Sequence, residues 1–369
     1  MGAGGKAVSQ QGFQPEQGGA REIGIKKRAS IYTGTSNLPL AQEIADHLGM
    51  ALGEVTISRF ASGEIYVRFH ESARGTDAFV IQTHSAPVND MIMEQLIMID
   101  ALKRASAKRI NAVIPFFGYA RQDRKSLARE PISARLIADL LQVAGADRVL
   151  SVDLHSGQIQ GFFDIPVDHL TALPILAEYV EEHHRDNIVV VAPDAGRVRV
   201  AEKYSLHLDA PLALMRKRRM PQGKGAAPAE VLDVVGDVTG KRCLVVDDMI
   251  DTGGTLISAV KHLFRQGASE VLAAATHAVF SGDAIQRIAD SALSEVIVTN
   301  SMPLPSPLPG KIKVVSIAPI VASTIQAVFQ DESVSEIFQG ENQEAIPPEI
   351  RKRGPKKKKK DHEAPAAGI

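Results

Sequence analysis

Cys243-Leu-Val-Val-Asp247-Asp248-Met-Ile-Asp251-Thr252-Gly253-Gly254-Thr255 opens on a short unbroken apolar run, the composition of a strand covered on both faces of a parallel sheet. Two adjacent carboxylates follow at its carboxyl end. Leu256, Ile257, Val260, Leu263 and Phe264 then recur at helical spacing. The stretch reads strand, tight loop, helix. In open α/β sheets ligands sit beyond the carboxyl ends of strands, beside helix N-termini. Gly253 and Gly254 let the backbone approach a ligand closely, and free N–H groups with the hydroxyls of Thr252 and Thr255 suit a phosphate. Asp247 and Asp248 would repel a phosphate placed on them, so they address hydroxyls or a metal. A sugar phosphate meets both demands. A plain strand–turn–helix connection with an aspartate cap is the competing reading.

The same stretch resembles the phosphoribosyl-binding loop of the phosphoribosyltransferase fold. That resemblance points to a superfamily and leaves the reaction open.

The chain has 369 residues, room for two domains of ordinary size. It is 44% hydrophobic and 23% charged, a globular composition. No apolar run reaches the ~18 residues that span a membrane, and the N-terminus has no apolar signal core. Cys243 is the only cysteine, so no internal disulfide can form and a cytoplasmic location is expected. Residues 351–369 carry eight Lys and Arg against Asp361 and Glu363, which leaves an acidic body. A basic tail of this kind reads as solvated, and nucleic-acid binding by the fold is not expected.

Residues 1–28 lack periodicity and read as a disordered extension, as do residues 341–369. Between them β and α patterns alternate, which predicts an α/β fold with mainly parallel sheets. Glu54–Arg59 and Ile65–Phe69 alternate apolar and polar residues around Phe60-Ala-Ser62-Gly63-Glu64, a hairpin signature over 57–69. Strands are expected at Ala78–Gln82, Arg109–Phe117, Val149–Asp153, Ile188–Ala192, Leu212–Met215, Val271–Thr276, Val296–Thr299 and Ile312–Ile317. The intervening periodic segments predict helices, the last over Ile320–Val328. No residue-level repeat relates the two halves.

Four strand ends carry polar equipment. Arg121 and Gln122 follow one, His155 another, Asp194-Ala-Gly196 a third and Asp247–Thr255 the fourth. Arg121 offers a planar fork suited to phosphate oxygens, and Gln122 can read a base or ribose. His155 and Asp194 are candidate ligands for a hard divalent cation, whose remaining shell is water and phosphate. Arg216-Lys217-Arg218-Arg219, followed by Met-Pro-Gln-Gly-Lys-Gly, reads as a mobile cationic loop able to close over a phosphoryl group. A solvated surface loop is the alternative.

Together Arg-Phe60-Ala-Ser-Gly-Glu64, Tyr-Ala-Arg121-Gln-Asp-Arg-Lys, Asp-Leu-His155-Ser-Gly-Gln-Ile-Gln-Gly-Phe-Phe and the opening stretch resemble ribose-phosphate pyrophosphokinases of the phosphate-dependent class, from about Ser30 to Gly340. The resemblance implies two tandem phosphoribosyltransferase-like domains, 29–171 and 172–340, with the final helix packing on the first domain. It implies a homohexamer in which the hairpin reaches a neighbouring subunit's ATP site. By position, Phe60, Ser62, Gly63, Glu64, Arg121 and Gln122 would bind ATP, and His155 and Asp194 would carry Mg2+. Asp247, Asp251, Thr252, Gly253, Gly254 and Thr255 would bind ribose 5-phosphate with Arg219, and Lys217 and Arg219 would be the catalytic pair. The implied reaction is ribose-phosphate diphosphokinase: the anomeric hydroxyl of ribose 5-phosphate takes the β,γ-pyrophosphoryl group of ATP, giving phosphoribosyl pyrophosphate and AMP for nucleotide, histidine and tryptophan biosynthesis. A non-catalytic regulatory homologue is the alternative. Three departures from the family pattern stand out: Ser62 in place of the usual Asp, Arg197 and Val200 in the loop after Asp194, and Met-Pro-Gln after Arg219.

Overall fold

The computed structural model describes residues 27–220, 229–338 and Asn342; the side chains of 217–220 and 229–232 fall outside that description. The expectations for residues 1–26 and for the basic tail lie outside it too. Within the described residues Lys27 already makes a specific contact, its ammonium 2.5 Å from Asp331.

The first half builds a five-stranded sheet. Its strands are β1 (Ala29–Thr33), β4 (Asp77–Ile81), β5 (Arg109–Ile114), β6 (Arg148–Val152) and β7 (Val167–Leu170), in the order β1-β4-β5-β6-β7 and all parallel. Every residue of β4 is buried, because helices cover both faces. These are α1 (Leu38–His47), α2 (Val88–Arg104) and α3 (Ser133–Ala144). β2 (Val55–Arg59) and β3 (Ile65–Phe69) form the expected hairpin, a separate antiparallel pair with Arg59 opposite Ile65. Ile57, Val67 and Phe69 pack it onto the core of this half, and Arg59 pairs with Asp90 of α2 at 3.1 Å.

The second half is larger. After α4 (Leu173–His184) come β8 (Ile188–Ala192), α5 (Val198–Leu208), β9 (Leu212–Met220), β10 (Ala229–Val235) and β11 (Arg242–Ile250). Then follow α6 (Gly254–Arg265), β12 (Glu270–Ala278), α7 (Ala284–Ala289), β13 (Glu295–Thr299), β14 (Ile312–Val315), α8 (Ala318–Gln330) and α9 (Val334–Ile337). The sheet order is β10-β9-β8-β11-β12-β13-β14, parallel except for the β9–β10 pair. The basic run at 216–219 therefore continues a strand, with Arg216 opposite Asp233, where the sequence predicted a loop. Residues 221–228 lie outside the described residues. β7 and β10 were not foreseen: Asp168 and His169 interrupt the one, and the other is defined by its cross-strand partner.

The halves share a core. Ile31, Ile44 and Phe79 of the first sit in one buried cluster with Leu176, Val190, Leu272 and Val321 of the second. α8 packs against α1. Arg109 ties the seam polarly, pairing with buried Asp77 and, at 2.8 Å, with Asp331 just beyond α8.

Candidate active site

In the second sheet the chain leaves β8 toward β9 and leaves β11 toward β12, in opposite directions. The crevice between β8 and β11 is thus the switch point where open α/β sheets bind ligands. β11 pairs with β8 only as far as Val245 with Val191, but with β12 through Ile250. Beyond Val245 one edge of β11 is free, and Asp247 and Asp248 lie there.

The β8 side is closed by Asp194. Its carboxylate caps the three-residue 3-10 turn Ala195–Arg197, accepting from the Gly196 N–H at 2.8 Å, and α5 follows at once. This turn aims Arg197 across the crevice. Its Nε lies 2.8 Å from Asp247 Oδ1, and its Nη2 lies 2.9 Å from Asp248 Oδ1. The second contact is an ion pair without hydrogen-bond geometry, so Oδ1 of the buried Asp248 has no hydrogen-bond partner.

His155 arrives from the first half. Its Nδ1 is 2.7 Å from Asp248 Oδ2 and 2.9 Å from Arg197 Nη2. Nδ1 thus meets an acceptor-only carboxylate and a donor-only guanidinium at once, and both contacts anchor the ring through that nitrogen. The carboxylates differ accordingly. Burial and the neighbouring Asp248 push Asp247 above the usual carboxylate range. Burial opposes Asp248 as well, yet the His155 hydrogen bond and the Arg197 charge hold it below that range.

The loop carrying His155 is clamped by the second half. The buried Thr276 hydroxyl donates to Asp153 Oδ2 at 2.6 Å, and His277 Nε2 contacts the carbonyls of Val152 and Asp153 at 3.1 and 3.2 Å. Asp153 sits at φ 39°, a conformation these contacts enforce. Similarly, buried His84 accepts from the Gly118 N–H at 3.0 Å and meets Gln95 Oε1 at 2.8 Å, fixing the start of the loop that carries Arg121.

Arg121 then crosses to the opening stretch, with Nη1 2.6 Å from Asp251 Oδ2. Gly253 adopts φ +73°, the left-handed conformation at which a side chain is strained, and α6 begins at the next residue. The turn Asp251–Thr255 thereby presents backbone N–H groups and two hydroxyls at the N-terminus of a 12-residue helix.

Arg121, His155, Asp194, Asp247 and Asp251–Thr255 border one cavity of ≈ 300 Å³. A second, of ≈ 580 Å³, lies behind His155, Arg197, Asp247 and Asp248, which line both. Other expected residues stand apart. The Gln122 amide oxygen accepts from the Ser133 hydroxyl at 2.6 Å, at the start of α3. Phe60, Ser62, Gly63 and Glu64 sit at the hairpin tip, where Phe60 is 57% exposed and Ser62 donates to Glu64 at 2.8 Å. The Lys217 and Arg219 side chains lie outside the described residues. From sequence Asp248 shared with Asp247 the reading of a group facing hydroxyls or a metal, and Arg197 stood out only as a departure from the family pattern. Among the described residues no group of three or more His, Cys, Asp or Glu is placed to hold a metal.

A switch-point crevice beside a glycine-containing turn at a helix N-terminus is where open α/β sheets place their ligands. Comparison with known proteins specifies the group. The sequence profile for the N-terminal domain of ribose phosphate pyrophosphokinase matches residues 29–145, and that for the phosphoribosyl synthetase-associated domain matches 208–339. Ribose-phosphate pyrophosphokinase of Streptomyces avermitilis is 55% identical over 315 residues, covering 85% of this chain and 97% of its own. That of Corynebacterium glutamicum is 51% identical over 318 residues, covering 86% and 97%. The crystal structure of phosphoribosylpyrophosphate synthetase from Mycobacterium smegmatis superposes with TM-score 0.78 at 53% identity, covering 83% of this chain and all of that one. The chain belongs to the ribose-phosphate pyrophosphokinase family, and its two sheets are tandem phosphoribosyltransferase-like units.

Proposed function

We propose that this enzyme transfers the β,γ-pyrophosphoryl group of ATP to the anomeric hydroxyl of ribose 5-phosphate. The observation that carries the reading is the single cavity joining Arg121 of the first half to Asp247 and Asp251–Thr255 of the second. The Asp251–Thr255 turn holds the 5-phosphate, and Asp247 takes the ribose hydroxyls. The anomeric oxygen attacks the β-phosphorus in line. The O–Pβ bond forms as the bridge to the α-phosphate breaks, the hydroxyl proton is lost, and AMP leaves. Positioning and charge stabilisation dominate such transfers. Arg121 and Gln122 hold ATP, and Lys217 and Arg219 are the catalytic pair that stabilises the transferring group.

His155 and Asp194 would hold Mg2+. The donor set suits it: a carboxylate is a hard ligand, and His155, its Nδ1 engaged by Asp248 and Arg197, would offer Nε2. When bound, the ion neutralises and orients the triphosphate.

The boundary between domains 29–171 and 172–340 falls just before α4. The assembly is a homohexamer in which Phe60, Ser62, Gly63 and Glu64 enter a neighbour's ATP site. Supporting it, the hairpin tip exposes Phe60 and Tyr66, and Leu136, Leu140 and Val143 form an exposed apolar stripe along α3. No helix among the described residues is long and apolar enough to cross a membrane, and we place the enzyme in the cytoplasm.

Lys217→Ala tests the catalytic assignment. Losing one transition-state cation lowers kcat by about 10²–10³ with KM for ribose 5-phosphate little changed. A near-normal kcat overturns the assignment.

A further inference from the structure

We propose that Arg287, on α7, is a positioning residue for the sugar 5-phosphate: from behind the Asp251–Thr255 turn it holds the Thr252 carbonyl, so that the Gly253 N–H faces the phosphate. This rests on the function proposed above.

Three successive carbonyls of the stretch that ends β11 are taken by the segment after β12. The Phe280 N–H donates to Ile250 O at 3.0 Å, the Ser281 N–H to Asp251 O at 3.1 Å, and Arg287 Nη1 to Thr252 O at 3.5 Å. A peptide is planar and trans, so a carbonyl held on one side sends the N–H of the same peptide to the other. The N–H groups of Asp251, Thr252 and Gly253 are thereby turned away from that segment. Asp251, Thr252 and Gly253 border the ≈ 300 Å³ cavity, whereas Phe280, Ser281 and Arg287 do not. The segment braces the turn from the back.

Gly253 shows what the brace serves. It is buried, yet among the described residues its N–H has no hydrogen-bond partner. A buried donor left unpaired is costly, and an anion at the N-terminus of α6 supplies the acceptor. The guanidinium on the Thr252 carbonyl polarises the same peptide that carries this N–H, which makes it a stronger donor. Arg287 thus acts on the phosphate through one peptide group without touching it.

The rest of the brace is anchored in the core. Phe280, Ala284 and Ile288 are buried in one cluster with Leu256 and Val260 of α6. They fix α7 beside the turn and leave Arg287 on its exposed face. Thr252 O is the only hydrogen-bond partner of its guanidinium among the described residues, and it forms no ion pair there. Substitutions at exposed positions of this kind change stability little, so the contribution of Arg287 is to the site.

The test compares the wild type, Arg287→Met and Arg287→Lys by steady-state kinetics and by calorimetric titration of ribose 5-phosphate into the full chain. In Arg287→Met, KM and Kd for ribose 5-phosphate rise about fivefold, the loss expected for one loose hydrogen bond from a charged donor. KM for ATP, kcat at saturating sugar and the melting temperature stay at wild-type values. Arg287→Lys, which keeps a charged donor, recovers part of the affinity. Unchanged ribose 5-phosphate affinity in Arg287→Met overturns the proposal. A rise in both KM values with a fall in melting temperature overturns it too, because the contact would then be structural. If the wild type binds ribose 5-phosphate with this dependence on Arg287 but releases no AMP, the proposed reaction fails and the positioning role stands. If turnover is normal and Arg287→Met matches the wild type, only the positioning role fails.

Discussion

Arg121 and Asp251 meet across the seam of the molecule, Nη1 to Oδ2 at 2.6 Å, so the loop after β5 of the first sheet touches the turn that opens α6 in the second half. The contact explains how two halves contribute to one cavity. It also separates stability from function. Arg121 is 57% exposed, and an ion pair so open to solvent contributes at most about 1 kcal/mol. Arg121→Ala is expected to leave the urea midpoint nearly unchanged while raising KM for ATP and lowering kcat. A large fall in midpoint with normal kinetics would make the pair structural.

His277 behaves in the opposite way. It is fully buried, its ring lies 5.0 Å from Phe116, and it contacts the carbonyls of Val152 and Asp153. His277→Ala leaves buried carbonyls unpaired and a void, at about 2–4 kcal/mol. Because the clamp sets the loop that carries His155, the variant should also lose turnover at temperatures where it remains folded. Denaturant unfolding together with kcat on the folded protein checks both; full turnover in a destabilised variant would free His155 from the clamp.

A pH dependence follows from His84. Burial lowers this histidine to about 4, whereas the unfolded chain protonates near 6.5. Between those values the unfolded state binds a proton that the folded state refuses. The stability linked to this group is complete above about pH 6.5 and falls by about 3 kcal/mol as pH drops to about 4. His277, also lowered by burial, acts in the same direction. Unfolding free energies at pH 7 and pH 5 should fall more steeply for the wild type than for His84→Asn. Equal slopes would contradict the assignment.

The core shared by both halves predicts joint unfolding. Leu176 on α4 is fully buried in the cluster that includes Ile31 and Val321. Leu176→Ala should cost about 2–5 kcal/mol and shift one calorimetric transition to lower temperature. Two separate transitions would show that the halves fold independently.

Much of this was readable from the chain. Ile188–Ala192 has the boundaries that its pattern suggests, and the opening stretch folds as strand, turn and helix. Apolar runs and glycine-marked turns are local signals, so they survive reading along one dimension. The ribbon was not readable. Arg216–Arg219 look like a loop because nothing local shows that residues 229–235 return to pair with them. Arg197 failed for a similar reason. Its contact with Asp247 exists because β8 and β11 are neighbours, a fact of sheet order and not of spacing. His84 and His277 look like isolated histidines until tertiary structure places carbonyls and N–H groups around them.

The most direct test of the account is phosphorus NMR of the products formed from ATP, ribose 5-phosphate and Mg2+ in the presence of inorganic phosphate. The account predicts AMP in step with a new diphosphate resonance on the anomeric oxygen, and neither when ribose 5-phosphate is omitted. ADP in place of AMP, or no consumption of ATP, would contradict it.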